Sequence, residues 1–395
     1  MQMTPRVLIV GGGIMGASTA FFLAEAGLGD STVVLERGTV GNGFSSMSTG
    51  IVRCHYGHPA LVSMALRSRR FFEQSCDLLG ADIGFRPIGY AFGAGAVDED
   101  ALRRNVELQQ SLGAEVDIVP VEEIAAFWPG IESSGISLFA FEAGGGYGDG
   151  YLTTQGMAAA ARSRGVDIRQ RQAVRRLVVS SDGGEVQGVQ LASGETLWAD
   201  IVVVAAGPWS VSLCDEIGVE VPISCHREPK LVLHWPAAVD SRPVLADRLR
   251  AQYFRPDSRD TVIYGSTQTD HVDLVDPDRF DSFADDDFVD NAITAIDQLV
   301  HRDDIEIVRS YAGCYDITPD LYPIIGRCDV ERLILCMGFS GHGFKLSPAV
   351  GRLVADLIVN GESSDPHVPT DFFALRRFGE GRSIRSLNPY SGSRY

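Results

Sequence analysis

The chain has 395 residues, 45% of them hydrophobic, enough to bury the core of two domains or of one large interleaved fold. Its formal charge of -18 excludes the clustered positive surface that nucleic acid or an anionic membrane face requires. The seven cysteines show no CxxC pair and no zinc spacing, no basic-then-apolar leader opens the chain, and no apolar run reaches the roughly 18 residues of a membrane span. These features predict a soluble, cytoplasmic protein with reduced thiols and no metal centre.

The first elements form one unit. RVLIV (6–10) is an apolar run suited to a buried parallel strand. GGGIMG and ASTAFFLAEAG follow as a turn and an amphipathic helix ending at Gly27, and STVVLER is a second strand that brings in Glu36. Gly11, Gly13 and Gly16 make G-x-G-x-x-G, with Glu36 twenty residues after Gly16. Gly11 permits the tight turn, Gly13 the approach of a pyrophosphate, and Gly16 close helix packing, while Glu36 can accept from ribose hydroxyls. With both strands, the helix and the acid in register, the unit predicts dinucleotide binding.

The motif alone does not separate NAD from FAD. GTVGNGFSSMSTG (38–50) is a glycine- and hydroxyl-rich loop that suits a second wrap around a pyrophosphate and a flavin edge, with Ser45, Ser46 and Thr49 as donors. DIVVVAAGPWS (200–210) reads as a strand ending on Ala206, Gly207 and Trp209. LILCMGFSGHGFKLSPAVGRLVADLIV (333–359) reads as strand, glycine turn and helix, so that a helix N-terminus lies beside whatever the turn touches. Between these pieces, PKLVLHW, AQYFRP and DTVIYGS are strand-like. The acidic run DPDRFDSFADDDF then gives way to a helix and reads as solvated surface. The tail after Phe378 is basic and polar, which suits disorder or docking on a partner.

VLIVGGGIMGASTAFFLAEAG with VVLER, STGIVRCHYGHPALVSMALRS, AAGPWS, CYDITPDLYPIIG and GFSGHGFKLSPAVG together resemble the D-amino-acid oxidase superfamily of flavoproteins. Within it the chain is most similar to sarcosine oxidases and dimethylglycine dehydrogenases. The resemblance implies an α/β fold, with a Rossmann-like FAD-binding domain interleaved with a substrate domain on a mixed, largely antiparallel sheet. It suggests FAD elements near 1–85, 145–215 and 315–370, substrate elements at 86–144 and 216–314, and a tail at 371–395. It implies FAD contacts at Gly11, Gly13, Ile14, Met15, Gly16, Glu36, Arg37, Ser45, Ser46, Thr49, Val174, Ala206, Gly207, Trp209, Gly313, Gly338, Gly341, His342, Gly343, Phe344 and Lys345. At His342 the backbone is expected to matter more than the ring.

Only two of the 34 basic residues are lysines, Lys230 and Lys345. The resemblance assigns Lys345 and Arg53 to the substrate carboxylate, and Tyr253 to an aromatic over the substrate. A bidentate guanidinium with a compact ammonium suits that task. The alternative for Lys345 is a cation that only stabilises the flavin ring, for Arg53 an ion pair within the fold, and for Tyr253 a core aromatic. His55 reads as a structural histidine, with a pocket polar group as the alternative, and Tyr315 and Thr318 as lining the active site or the flavin rim.

Two departures from the family pattern matter. The position of its flavin-linking cysteine falls on Gly313, with Cys314 one residue late, so FAD is expected to be noncovalent. The strand that carries an O2-activating lysine in the family has Ile263 nearest that position, with Lys230 on a neighbouring strand as the other lysine. The expected reaction is FAD-dependent oxidation of a small secondary amino acid, with O2 or another electron acceptor and with homo- or hetero-oligomers both open. A D-amino-acid dehydrogenase, a cyclic imino-acid oxidase, the flavin subunit of a complex and a non-catalytic assembly factor also stay open at this level.

Overall fold

The structure, a computed structural model, describes residues 6–267, 273–300 and 304–391. Val7–Val10 is a central strand of a six-stranded sheet, parallel to Thr32–Glu36 on one side and Ile201–Val204 on the other. Asp167–Gln170 extends the first side, Leu333–Met337 the second, and the antiparallel Ile324–Arg327 forms the outer edge there. The chain order therefore changes direction at Val7–Val10, and a crevice opens at its carboxyl end, where Gly11 follows. The strand is apolar on both faces because both are covered. Val7 and Ile9 pack with the helices Ile14–Glu25, Gly150–Arg162 and Gly343–Val359. Leu8 and Val10 pack with an antiparallel sheet of Val174–Val179, Val186–Leu191 and Thr196–Trp198.

The last helix is held close to the first. A side chain at Gly351 would overlap Ser18, whose hydroxyl donates to Ser347 O at 2.7 Å. That contact fixes where the N-terminus of Gly343–Val359 stands.

The second sheet has eight strands, antiparallel except where Tyr90–Gly95 runs parallel to Val244–Asp247. The strand-like runs in the sequence become Ser224–His234, Gln252–Pro256 and Thr261–Ser266. Phe254 packs on Trp128, Trp235 and the helix Asp286–Val300, while its neighbours Tyr253 and Arg255 turn to the opposite face. The helix begins inside the acidic run. Those acids do more than meet solvent: Asp285 holds Arg227 together with Asp273, which precedes the run, and Asp278 pairs with Arg37 at 3.0 Å.

The segment after Phe378 packs on its own chain rather than staying loose. Arg377, fully buried, donates to both Asp320 oxygens at 2.8 and 2.9 Å, and Ile384 N adds a bond to Asp320 at 3.0 Å. Farther on, Leu387 N donates to Gly57 O at 2.7 Å and Ser391 N to Asp98 at 2.6 Å. Residues 392–395 of the expected tail lie outside the described residues. Among the described residues no helix is long and apolar enough to cross a membrane, and no group of three or more His, Cys, Asp or Glu is placed to hold a metal.

Removing one partner of a buried ion pair leaves an uncompensated charge, so Asp320→Ala should cost about 3–5 kcal/mol. Urea unfolding followed by far-UV circular dichroism measures it; a loss below about 1 kcal/mol, the scale of an exposed pair, would contradict the anchoring role.

Candidate active site

The turn after Val10 is shaped by what a side chain would strike. Gly11 has φ +109, and a Cβ there would run into the Ala205 carbonyl; a Cβ at Gly16 would overlap Gly11 O. Gly11 N donates to Leu35 O at 2.9 Å, and Ala205 N to Val10 O at 2.9 Å, so the three strand ends are tied together. Glu36 accepts from Gly12 N at 2.7 Å and from Gly38 N at 2.6 Å, which orders the loop around its carboxylate. Ser45 Oγ accepts from Ile14 N at 3.0 Å and so stands at the N-terminus of the first helix.

These groups border a cavity of about 610 Å³. Gly11, Gly13, Ile14, Met15, Glu36, Arg37 and Ser45 line one part, with Val174, Ala206, Gly207 and Trp209. Gly313, Gly341, Gly343 and Phe344 line the rest, together with Lys230, Glu228, Tyr315 and Asp316. Arg37 lies over the Trp209 ring at 3.8 Å, and Trp209 stacks on Phe44 at 5.1 Å. The buried Trp209 Nε1–H has no hydrogen-bond partner among the described residues. Asp316 accepts from Gly338 N at 2.7 Å and Phe339 N at 3.1 Å and thereby orders the glycine turn; burial pushes its carboxyl up to about 6. Gly341 must lack a side chain, since a Cβ would meet the Tyr315 ring at 2.6 Å.

Several expected contacts lie off this wall. Gly16 and Gly338 act through backbone fit. Ser46 is exposed, and its hydroxyl donates to Gly43 O at 2.8 Å. Thr49 is buried, its carbonyl accepts from Arg255 at 2.9 Å, and its side chain bonds Tyr253. Thr318 donates to Tyr322 O at 2.8 Å and belongs to the anchor around Asp320.

Half-buried Arg53 and buried Lys345 come together in a cluster joined to the cavity by the turn Gly341–Phe344. Lys345 is 7% exposed and sits in the first turn of Gly343–Val359, where the helix dipole opposes a cation. Its Nζ donates to Gly341 O at 3.4 Å. Burial, then Arg53, hold its pKa well below the ordinary lysine value. The Arg53 guanidinium donates to His55 O and lies 4.7 Å from the Tyr56 ring and 5.7 Å from the Tyr90 ring. Tyr56 Oη meets His342 Nδ1 at 3.1 Å. The His342 ring thus belongs to the cluster, against the expectation that its backbone matters more. Burial, Lys345 and Arg53 lower its pKa well below the usual value, so it is neutral. Tyr253 packs with Tyr90 and completes an aromatic wall with Tyr147. Tyr56 was not singled out in the sequence, although it follows Arg53 by only three residues.

Residues 6–357 match the family described as DAO: FAD dependent oxidoreductase. The chain belongs to that family. A relative from Xenopus laevis, FAD-dependent oxidoreductase domain-containing protein 1, is 27% identical over 97% of this chain and 84% of its own length. Sarcosine oxidase subunit beta from an Arthrobacter species is 26% identical over 96% and 92%. The structure of glycine oxidase from Geobacillus kaustophilus superposes with a TM-score of 0.79 at 26% identity, over 94% of this chain and 98% of that one. L-proline dehydrogenase from P. horikoshii shares the fold, with a TM-score of 0.86 at 23% identity over 97% and 100%. The protein is an FAD-dependent amine oxidoreductase. The cavity fits that cofactor: its glycines make room for backbone approach, two helix N-termini abut it, and Trp209 offers a buried donor. Gly11, Gly13 and Ser45 would hold the pyrophosphate and Glu36 the ribose.

Gly11→Ala forces a side chain into the Ala205 carbonyl at a positive φ, a strain of about 1–3 kcal/mol. The expected outcome is a folded, colourless protein beside a yellow wild type, read from the flavin absorbance band; an equally yellow variant would contradict the assigned turn.

Proposed function

We propose that the protein oxidises a small secondary amino acid at the carbon next to nitrogen, with Arg53 and Lys345 holding the carboxylate. The observation that carries this reading is the juxtaposition, beside the cavity, of a buried lysine in the first turn of a helix and a half-buried arginine. Arg53 presents a planar fork to two carboxylate oxygens and Lys345 a point charge, while Tyr56, Tyr90 and Tyr253 wall the site. Bound FAD supplies the acceptor for the hydride that leaves this carbon. The residues hold the amino acid in one orientation, and neutral His342 adds no further charge. The resulting iminium takes up water to give a carbonyl compound and an amine. That a sarcosine oxidase subunit and a 4-methylaminobutanoate oxidase are among its relatives supports a secondary amine.

The six-stranded sheet serves FAD in this account, and the inner face of the eight-stranded sheet serves the substrate. FAD is held without a covalent bond. The free Cys314 thiol shares a hydrogen bond with the Cys225 thiol, and that hydrogen bond and burial push its pKa up, away from a nucleophilic thiolate. Lys230 supports O2 as the acceptor. It lies on the strand beside Ile263, 3% exposed, with its ammonium 3.7 Å from Glu228 on the cavity wall.

The test is an anaerobic titration with sarcosine, dimethylglycine, proline, pipecolate and D-amino acids. Sarcosine or another secondary amino acid should bleach the flavin band; bleaching by primary D-amino acids alone would overturn the reading. Readmitted air should restore the band, about tenfold or more slowly in Lys230→Met with the anaerobic step unchanged, since the lost charge faces developing negative charge. An unchanged rate in that variant would remove Lys230 from the account.

The pH dependence follows from Lys345. Its charged form holds the carboxylate, so binding is full below its lowered pKa and weakens as pH rises through it. The substrate amine must be neutral, which gives the opposite limb. The profile of kcat/KM should therefore be a bell whose alkaline limb falls below pH 10.5. Lys345→Arg should push that limb upward, because guanidinium stays charged; a limb that does not move would assign it to another group.

A further inference from the structure

Arg53 is aimed by the residue two places on, since its guanidinium donates to the His55 carbonyl. The His55 ring is held from both sides. Gln109 Nε2, on the helix Glu99–Ser111, lies 3.3 Å from His55 Nδ1 and also donates to Tyr56 O at 3.1 Å. An amide N–H facing Nδ1 makes that nitrogen the acceptor, which leaves the ring proton on Nε2. Nε2 lies 2.7 Å from the Tyr390 hydroxyl, so His55 donates and Tyr390 accepts. The ring also stacks on Phe92 at 4.3 Å. Burial and the Arg53 charge lower the His55 pKa to about 3, so the ring is a neutral strut and not a proton carrier.

Tyr390 belongs to the C-terminal segment, which is pinned on both sides of it. Asn105 Nδ2 donates to Asn388 O at 3.0 Å, Ser391 N donates to Asp98 Oδ1 at 2.6 Å, and Arg248 donates to Ser391 O. Tyr390 itself packs on Phe92 at 5.3 Å. The segment 388–391 thus closes a path that runs from the Tyr390 hydroxyl through the His55 ring and carbonyl to the Arg53 guanidinium.

We propose that Tyr390 is a positioning residue for substrate recognition: the docked C-terminal segment, through the His55 ring, fixes the carbonyl that aims Arg53 at the substrate carboxylate. This rests on the reading of Arg53 as a carboxylate ligand. The segment is then part of the substrate site and not an appendage, and the clamp is complete only when the segment around Tyr390 has docked.

The test uses the full-length holoenzyme and Tyr390→Phe, which keeps the ring and loses the acceptor. Sodium acetate is titrated at constant pH and ionic strength, with binding read from the flavin difference spectrum. Loss of one hydrogen bond to the strut should raise the acetate Kd about tenfold. With a panel amino acid that bleaches the wild type, KM should rise by a similar factor while kcat, FAD content and melting temperature stay unchanged. Equal acetate affinity in the two proteins overturns the proposal, and so does a loss of affinity that only tracks lost FAD or a lowered melting temperature. A wild type that binds no acetate overturns instead the carboxylate role of Arg53, on which the proposal stands.

Discussion

A buried lysine held beside a half-buried arginine sets the terms for this site. Arg53 and Lys345 repel, Lys345 also opposes the dipole of its own helix, and burial removes the solvent that would screen Lys345. The structure tempers this with acceptors and ring faces: the carbonyls of His55 and Gly341, and the Tyr56 and Tyr90 rings near Arg53. Carbonyls and rings do not neutralise charge. The carboxylate of the proposed substrate would, and a chain at -18 overall has to concentrate positive potential locally to attract one.

The fold delivers this arrangement through a single turn. The segment Gly338–Lys345 leaves the strand Leu333–Met337 of the nucleotide sheet, is ordered by Asp316, lines the cavity with Gly341, Gly343 and Phe344, and ends in Lys345. Its place is fixed by the contact of Gly351 with Ser18 on the first helix. Arg53 arrives from the opposite direction, at the end of the short strand Ile51–Val52 that pairs with Gly146–Tyr147. The cavity and the proposed clamp therefore share one backbone, so a change in the glycine turn is expected to disturb both.

Much of this could be read in the chain itself where the determinant is local. Glycine spacing, a strand on either side and an acid at a fixed distance announce the dinucleotide unit, because each glycine answers a nearby steric demand. The scarcity of lysine made Lys345 conspicuous. Partners brought in from afar were hidden: the His342 ring meets Tyr56, beside Arg53, across a separation of 286 residues, and Asp316 is set against its turn by tertiary contacts. The acidic run looked like plain surface because its pairing with Arg227 and Arg37 depends on how strands are laid side by side. The end of the chain has a polar composition that fits disorder, yet Asp320, Asp98, Asn105 and Gly57 supply backbone and side-chain partners that composition does not reveal.

The most direct measurement compares anaerobic flavin reduction by sarcosine and by dimethylamine, an N-methyl amine with no carboxylate, in the wild type and in an Arg53→Met/Lys345→Met double variant that still binds FAD. The clamp predicts a wild-type preference for sarcosine of about a hundredfold or more, the value of two charge-assisted contacts, and its loss in the double variant. A double variant that keeps the full preference would contradict the clamp and place carboxylate recognition elsewhere in the site.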